Sequence, residues 1–189
     1  MSGRLVDLEG IDNCGKTTQA RLVSSFLNEH KQPCTVTREL TTPIGKVIKW
    51  YFRQKHFPPV LKLLLFAGDR FIRQKRDVLP KLNKGNIVIA DRWVLSAVVY
   101  RAVEGISSNC VLTVNRFALK PDFVIILDIP AELAVERGKL AKKPCPYSLD
   151  FLKKARAEYL RIAKAANVVV LDGTLLAEEL TEKIIKEIK

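Results

Sequence analysis

The chain of 189 residues has the length of one domain with a substantial core, and 48% hydrophobic against 28% charged residues is typical of an ordered globular protein. Its net charge of +12 is spread along the chain, which favours an enzyme handling several phosphates over a basic nucleic-acid-binding protein. The four cysteines lack C-x-x-C spacing, the two histidines suggest no His-centred catalysis, and no apolar run could span a membrane. We therefore expect a cytoplasmic protein without membrane or nucleic-acid partners.

Short apolar runs alternate with longer helical patterns. The predicted strands are 4–8, 35–38, 86–90, 123–127 and 168–171, and the predicted helices include 21–29, 60–83, 93–102 and 151–165. The third and fourth runs are apolar on consecutive residues, as in strands covered on both faces. The alternation predicts an α/β fold, with a parallel sheet of about five strands and helices on both faces, in a single domain 1–189.

A glycine-rich segment, GIDNCGKTTQ, follows the first predicted strand. Gly10, Gly15, Lys16 and Thr17 satisfy the P-loop spacing G-x-x-x-x-G-K-[ST], in which glycines let backbone N–H groups surround phosphate oxygens. Lys16 would reach the terminal phosphates, Thr17 would bind Mg²⁺, and a helix starting at about Lys16 would add its dipole. The alternative is a strand–helix turn that binds nothing. The predicted nucleotide site consists of Gly10, Ile11, Asp12, Asn13, Cys14, Gly15, Lys16, Thr17 and Thr18.

Other polar residues stand at the ends of predicted strands, where ligands collect in parallel sheets. Arg38 ends the second strand, Asp91-Arg92 follows the third and Asp128 follows the fourth. Asp91 and Arg92 could form a structural salt bridge, but arginine is suited to bidentate phosphate contacts. We therefore predict that Arg92 binds a phosphate of a second substrate.

Phe66 and Arg70 are four residues apart in a helical pattern, so they share one face. A ring beside a guanidinium could stack on a flat base and hydrogen-bond to its edge. From helix spacing alone, a core phenylalanine with a surface arginine is the commoner arrangement.

Together these motifs resemble the thymidylate (dTMP) kinase family over nearly the whole chain. The most specific part is Phe66-x-x-Asp69-Arg70 followed by Asp91-Arg92-Trp93, Ser96 and Tyr100. The other matching segments are the P-loop, Thr37-Arg38-Glu39, Pro43-Ile44-Gly45, Leu127-Asp128-Ile129-Pro130, Phe151-Leu152, Tyr159-Leu160 and Leu171-Asp172-Gly173. The resemblance implies a P-loop kinase fold, transfer of the ATP γ-phosphate to dTMP with Mg²⁺, and a homodimer.

The resemblance also implies roles for single residues. Lys16 and Thr17 would hold the ATP phosphates and Mg²⁺, with Asp91 as a further metal ligand. The implied acceptor site has Asp12 at the sugar 3′-hydroxyl, Phe66 stacked on the base, Arg70 at the base edge, Arg38 and Arg92 at the phosphate, Tyr100 under the deoxyribose, and Ser96 in the same site.

Three departures from the family pattern change what we expect. The loop Leu40-Thr41-Thr42 replaces the usual glycines, which makes it stiffer. Ala97 stands where a polar residue often hydrogen-bonds the pyrimidine, so base choice should be loose. Asn13 stands where some members carry a P-loop arginine, so the charge of the transition state needs another cation.

We expect that cation from a short basic lid at about residues 137–147. The segment has the four cations, the glycine and the proline of a hinged flap: Arg137, Gly138, Lys139, Lys142, Lys143 and Pro144. A solvated charged loop is the alternative. Because Tyr147-Ser148 replaces the usual Arg-Phe-Glu, no lid carboxylate is expected. The predicted catalytic residues are Asp12, Lys16, Arg92 and Arg137.

Two other functions remain open. A broad deoxynucleoside monophosphate kinase is compatible with Ala97. A nucleic-acid-binding ATPase would account for the basic charge, although the sequence shows no basic stripe rich in aromatic residues. A regulatory GTPase is disfavoured because no Asn-Lys-x-Asp segment is present.

Overall fold

The computed structural model describes residues 3–54, 56–142, 145–166 and 168–189. Within these ranges five strands form one parallel sheet: β1 (Arg4–Glu9), β2 (Cys34–Arg38), β3 (Ile87–Asp91), β4 (Phe123–Asp128) and β5 (Val169–Asp172). Their spatial order is β2-β3-β1-β4-β5, and each neighbouring pair is parallel. The predicted α/β fold with a five-stranded parallel sheet is confirmed.

Helices connect the strands and cover the sheet. They are α1 (Lys16–Glu29), α2 (Pro43–Tyr51), α3 (Pro59–Arg73), α4 (Leu79–Leu82), α5 (Val94–Val103), α6 (Ser108–Val114), α7 (Ala131–Leu140), α8 (Leu149–Ala166) and α9 (Ala177–Ile188). Among the described parts of the chain, no helix combines the length and apolarity needed to cross a bilayer.

The two faces of β1 have different partners. Val6 and Leu8 belong to the main core, which also contains the buried side chains of α1 and α9. Leu5, on the alternate face, packs with Val78 and Trp93 in a second core cluster. Asp7 and Glu9 share the face of Leu5 because side chains alternate along a strand, so this face carries two buried carboxyl groups.

The register brings the carboxyl ends of the strands to one edge. Leu8 of β1 and Arg38 of β2 both lie opposite Asp91 of β3, and Asp128 of β4 lies opposite Asp172 of β5. The polar residues predicted at strand ends therefore meet along one edge of the sheet, where ligands bind in such folds.

Two predicted helices differ in detail from the structure. The predicted helix 60–83 contains a π-helical turn, Gln74–Val78, where the N–H of Leu79 donates to the carbonyl of Gln74. Pro80, which has no N–H, follows at once and removes a donor from the regular ladder. Trp93, predicted inside a helix, is not helical, because its N–H donates to Glu9 and its ring fills the second core cluster.

Candidate active site

The P-loop follows β1 and ends where α1 begins at Lys16, as predicted. Gly10 and Gly15 have φ angles of 133° and 105°, which other residues rarely adopt. A Cβ on Gly10 would lie 2.4 Å from the carbonyl oxygen of Leu127. Glycine is therefore required where the loop passes β4, and the resulting tight turn is the one that phosphate binding needs.

The Lys16 side chain is buried inside this loop. Its Nζ donates to the carbonyl oxygens of Gly10 at 3.0 Å and Ile11 at 2.8 Å, and lies 3.3 Å from Cys14 Sγ. The ammonium group is therefore surrounded by the loop that should hold the phosphates. Ile11 and Cys14 are core residues, so only their backbone can serve the predicted nucleotide site, and Thr18 is exposed on the first turn of α1.

The two predicted metal ligands are in contact. Thr17 Oγ1 donates a 2.6 Å hydrogen bond to Asp91 Oδ2, and the largely exposed Arg38 places Nε 3.6 Å from the same oxygen. In the described residues, His, Cys, Asp and Glu side chains form no metal-binding group of three. Mg²⁺ prefers oxygen ligands and often takes only one or two from the protein, the rest being phosphate oxygens and water. The Thr17–Asp91 pair therefore fits Mg²⁺ bound together with a nucleotide.

Arg92 connects the P-loop to α5. Its Nη1 donates to the Gly10 carbonyl at 3.3 Å and to Ser96 Oγ at 3.1 Å, and its Nη2 donates to Asp12 Oδ1 at 3.0 Å and Tyr100 Oη at 3.1 Å. Its own φ angle is 76°, a strained conformation of the kind found at functional sites. Residues predicted from separate motifs thus share one hydrogen-bond network.

The charges of this network support one another. Burial alone would raise the pKa of the Asp12 carboxyl, but Arg92, Lys16 and the Tyr100 hydroxyl, which donates to Oδ2 at 2.8 Å, hold it below its ordinary value. Burial would lower the pKa of Arg92, but Tyr100 and Asp12 raise it well above its ordinary value. Burial raises the pKa of Tyr100, so its hydroxyl stays a neutral donor.

Glu9 supports the turn that carries Arg92. One of its carboxylate oxygens accepts from the N–H groups of Trp93 at 3.0 Å and Ser96 at 2.9 Å. The other accepts from the hydroxyls of Ser96 and Tyr159. Ser96 therefore links Glu9 to Arg92. The sequence predicted Ser96 only as a residue of the acceptor site and did not predict this link.

A cavity of about 350 Å³ opens beside Arg92. The predicted acceptor residues that line it are Asp12, Phe66, Arg70, Arg92, Ser96 and Tyr100. Arg38 is not among the described residues that form its walls. The cavity also has walls that the sequence patterns did not indicate, notably Arg101 and Tyr147. Its volume lies in the range of small-molecule sites.

Aromatic side chains form much of the cavity wall. Phe66 meets Phe52 edge-on, with ring centroids 6.3 Å apart. Tyr147, just before α8, stacks on Phe151 at 4.4 Å and meets Tyr100 edge-on at 5.2 Å. Tyr147 therefore occupies the end of the predicted lid as a cavity wall.

Arg70 is buried, so a surface arginine beside a core phenylalanine is excluded. Its Nη1 donates to Asn115 Oδ1, and its Nη2 donates to Glu39 Oε1 at 3.1 Å and to the Trp93 carbonyl at 2.8 Å. Its Nε has no hydrogen-bond partner among the described residues. Arg70 therefore combines a cavity-lining position with a structural contact to the Arg92-Trp93 turn.

Arg73, which lies one helical turn further along α3, was not predicted. Its Nη2 donates to the Arg92 carbonyl at 3.2 Å, and its guanidinium lies 4.9 Å from the centroid of the Trp93 ring. Burial lowers the pKa of Arg73, and the nearby Glu39 opposes this change. Arg70 and Arg73 thus hold the two consecutive carbonyls of the turn that carries Arg92.

Arg137 lies on the last turn of α7, next to the P-loop. Asn13 Nδ2 donates to the carbonyl of Ala134, one turn earlier, at 3.2 Å. Arg137 Nη1 donates to the carbonyl of Gly173 at 3.2 Å, and a Cβ on Gly173 would lie 3.4 Å from the Cys14 carbonyl oxygen. These contacts place Arg137 close to both the P-loop and the loop after β5.

The predicted flap differs from the structure in its first residues. Arg137, Gly138 and Lys139 are helical, because α7 continues to Leu140. Gly138 is buried within this helix. Lys142 follows the helix, whereas Lys143 and Pro144 lie outside the described residues.

Some contributors to the site had weak signals in the sequence. Glu9 is a carboxylate at the end of an apolar strand, which suggests a buried polar partner. Arg101 follows Ala97 by four residues, so the two share a helix face. Glu39 belongs to the matching segment Thr37-Arg38-Glu39, but its pairing with Arg70 was not predicted. Arg73 and Tyr147 owe their positions to packing between distant elements, for which no local pattern exists.

Comparison with known proteins gives a consistent result. The family model described as thymidylate kinase matches residues 8–184. A probable thymidylate kinase of Pyrococcus abyssi is 32% identical over 100% of this chain and 97% of its own length. A probable thymidylate kinase 1 of Saccharolobus solfataricus is 36% identical over 98% and 97%, and a thymidylate kinase of Caldanaerobacter subterraneus is 33% identical over 99% and 97%. The chain therefore belongs to the thymidylate kinase family.

Proposed function

We propose that this chain acts as a thymidylate kinase by transferring the γ-phosphoryl group of ATP to dTMP between the P-loop and the cavity beside α5. The observation that carries this proposal is the position of Arg92. Its guanidinium contacts both the P-loop, through Gly10 and Asp12, and the cavity wall, through Ser96 and Tyr100. A nucleotide phosphate and an acceptor phosphate would therefore meet at this side chain.

Phosphoryl transfer depends mainly on positioning and on stabilising the spread negative charge of the transition state. Lys16 would hold the terminal ATP phosphates from inside the loop, and Arg92 would hold the acceptor phosphate in line with them. Arg38 is largely exposed, so it would contact the acceptor phosphate from the solvent side. Mg²⁺ held by Thr17 and Asp91 would neutralise charge on the ATP phosphates when it is bound.

The sugar would lie against Tyr100 and Asp12. The two side chains are joined by a 2.8 Å hydrogen bond, and the Asp12 carboxylate is ionised at neutral pH because its pKa is held low by Arg92 and Lys16 against the effect of burial. Asp12 can accept a hydrogen bond from a 3′-hydroxyl group. A ring packed under the sugar leaves little room for a 2′-hydroxyl, which favours deoxyribose.

A cation on the lid would supply the positive charge that the P-loop lacks for stabilising the transition state. Asn13 brings no charge to the P-loop and is bonded to the carbonyl of Ala134. Arg137, one turn further along the same helix, has the planar fork that binds two phosphate oxygens. We propose residues 137–147 as the lid, with Arg137 as its catalytic cation.

Purified protein with ATP and Mg²⁺, offered dTMP, dUMP, dCMP, dGMP, UMP and thymidine while ADP release is followed, tests the proposal. We expect dTMP to be the best acceptor and UMP to be poor. Phosphorylation of thymidine as fast as dTMP would contradict the role of Arg92, because thymidine has no phosphate to bind.

A broader deoxynucleoside monophosphate kinase is the second candidate. It is favoured by Ala97, an apolar cavity wall with no hydrogen bond to offer to a base. A hydrophobic contact with one methyl group discriminates by only about 1–3 kcal/mol. We therefore expect dUMP turnover within roughly two orders of magnitude of dTMP turnover, and similar rates for all deoxynucleotides would support the broader activity.

We also propose a homodimer that forms through the outer face of α3. Val60, Leu64 and Phe71 lie along one side of this helix, away from the cavity, and are 60%, 53% and 46% exposed. Such a patch favours burial in an interface. Sedimentation velocity should give a dimer for the natural chain and a monomer for Leu64→Asp.

A cytoplasmic location is proposed as well, because all four cysteines are free thiols. Cytoplasmic proteins keep their thiols reduced. Fractionation of cells that produce the protein would test this assignment.

A further inference from the structure

We infer that Arg101 selects pyrimidines with an oxygen at position 4, and so favours dTMP and dUMP over dCMP. This inference rests on the proposed function. Ala97 lines the cavity but offers no hydrogen bond, and both Nη atoms of Arg70, the residue expected at the base edge, already donate to protein acceptors.

Arg101 stands beside the position where the base edge is expected. The guanidinium of Arg92, which would hold the phosphate, contacts Ser96 and Tyr100 on α5. Arg101 follows Ala97 by four residues, so the two share the adjoining face of this helix, and both line the cavity. The family resemblance places the base edge at Ala97, so Arg101 would lie next to that edge.

Arg101 is held in place by a buried ion cluster. Its Nε lies 2.8 Å from Glu104 Oε2, and Lys62 Nζ lies 2.5 Å from Glu104 Oε1. The three side chains are only 5%, 10% and 13% exposed in the order Arg101, Glu104 and Lys62. Two cations share one carboxylate, so the cluster has a net positive charge beside the cavity.

The chemistry of this wall suits an acceptor on the base. A guanidinium donates hydrogen bonds and cannot accept them. The group at position 4 is a carbonyl acceptor in thymine and uracil, but an amino donor in cytosine. Arg101 would therefore bind the first two bases and would face an unpaired donor in cytosine, which is costly in a buried site.

Arg70 reinforces the same preference from α3. Its two Nη atoms already donate to Asn115, Glu39 and Trp93, and its Nε, which has no partner within the described ranges, is again a donor. The carboxylate of Glu39 also lines the cavity, but it is paired with Arg70.

The test compares kcat/KM for dTMP, dUMP and dCMP in the natural chain and in Arg101→Met. We expect the substitution to lower the dTMP-to-dCMP ratio by about tenfold to a hundredfold, the usual worth of a hydrogen bond in base discrimination. The dTMP-to-dUMP ratio should stay within about twofold, because both bases have the same oxygen. If dCMP turnover is too slow to measure, the inhibition constant of dCMP against dTMP is compared instead of its kcat/KM.

Two further variants separate selection from structure. Lys62→Met removes the other cation of the cluster, which does not line the cavity, and should leave the ratio unchanged. Arg101→Lys keeps a donor and should retain part of the preference. Melting temperatures show whether each variant is folded.

The results distinguish this inference from the proposed function. If the natural chain does not phosphorylate dTMP, the proposed function fails. If it does, but Arg101→Met lowers turnover of dTMP, dUMP and dCMP in equal proportion, Arg101 is only structural and the inference is wrong. An equal shift of the ratio in Lys62→Met would also overturn it, since net charge rather than a directed donor would then be responsible.

Discussion

The phosphate end of the cleft is built from residues that directly follow the central strands, whereas the base end is built from helices α3 and α5 and the segment before α8. At the phosphate end, Lys16, Thr17 and Arg92 are fixed by hydrogen bonds to the backbone or to charged partners. At the base end, Phe66 and Tyr147 are positioned by packing with other rings.

This difference separates chemistry from specificity. The carboxyl edge of a parallel sheet is rigid because each strand is paired along its length, so groups attached there keep a fixed geometry. A single side chain on a helix face can change without disturbing the sheet, because it takes no part in the pairing of the strands. Substitutions at the two ends should therefore have different kinetic effects.

The largest effect is expected from Arg92→Met at the phosphate end. Because this largely buried guanidinium is the group expected to hold the acceptor phosphate, its loss should lower kcat/KM for dTMP by about 10³-fold or more, while KM for ATP changes little. Steady-state kinetics with each substrate varied would measure this. Arg38→Met, at the exposed neighbour, is the control and should have a smaller effect. Equal losses in the two variants would remove the distinction between buried and exposed phosphate contacts.

The second-largest effect is expected at the proposed lid, which is part of neither the phosphate end nor the base end of the cleft. Arg137→Ala should lower kcat by about 10²-fold with little change in KM, because a cation that acts in the transition state affects the chemical step. Lys139→Ala on the same helical turn and Lys142→Ala just after it are the matched controls. Near-natural kcat in Arg137→Ala and in both controls would exclude these described lid cations as the source of the charge.

How much the sequence predicts also differs between the two ends. The P-loop, Asp91 and Arg92 are predicted well, because motif spacing and buried strands are local properties of the chain. The start of α1 at Lys16 follows from the same motif. A residue such as Arg73 reaches Arg92 only through the packing of α3 against the turn after β3, which no local pattern encodes.

The base end depends still more on long-range packing. The helical spacing of Phe66 and Arg70 gives their shared face but not the burial of Arg70, which depends on Glu39 and Asn115 from other elements. The first residues of the predicted flap are helical because α7 continues through them, although the cations, glycine and proline of this segment predict a hinged flap.

A moderate effect confined to one substrate is expected at the base end. Phe66→Ala should weaken dTMP binding by about 1–3 kcal/mol, the usual worth of a base stacked on a ring. ATP binding should be unchanged. Calorimetry with each ligand would measure both, and Phe71→Ala on the outer face of α3 is the matched control. Equal weakening of both ligands would show that Phe66 only stabilises the fold.

The smallest effect concerns the buried carboxyl groups beneath the phosphate end. Burial, and then the neighbouring Glu9, raise the pKa of Asp7 well above its ordinary value. The folded chain thus binds the Asp7 proton more tightly than the unfolded chain, so stability should fall as the pH rises from the unfolded pKa of about 3.9 through the raised folded pKa. Asp7→Asn has no carboxyl group to titrate at this position, so its stability does not fall in this way. The melting temperature of Asp7→Asn minus that of the natural chain should therefore increase by about 2 °C or more between pH 5 and pH 8.

Melting curves at several pH values would test this prediction. Asp77→Asn, at a partly exposed site, is the control. A constant difference between Asp7→Asn and the natural chain at every pH would mean that Asp7 does not titrate in this range.

The backbone of Arg92 has a consequence for the evolution of the enzyme. A side chain at a φ angle of 76° costs about 1–2 kcal/mol relative to glycine, which adopts this region freely. As far as the backbone conformation is concerned, selection for folding stability alone favours glycine at this position. Selection for catalytic turnover favours arginine. A laboratory search for heat-resistant variants that does not monitor catalysis could therefore accept replacements here that abolish it, so stability and activity have to be selected together.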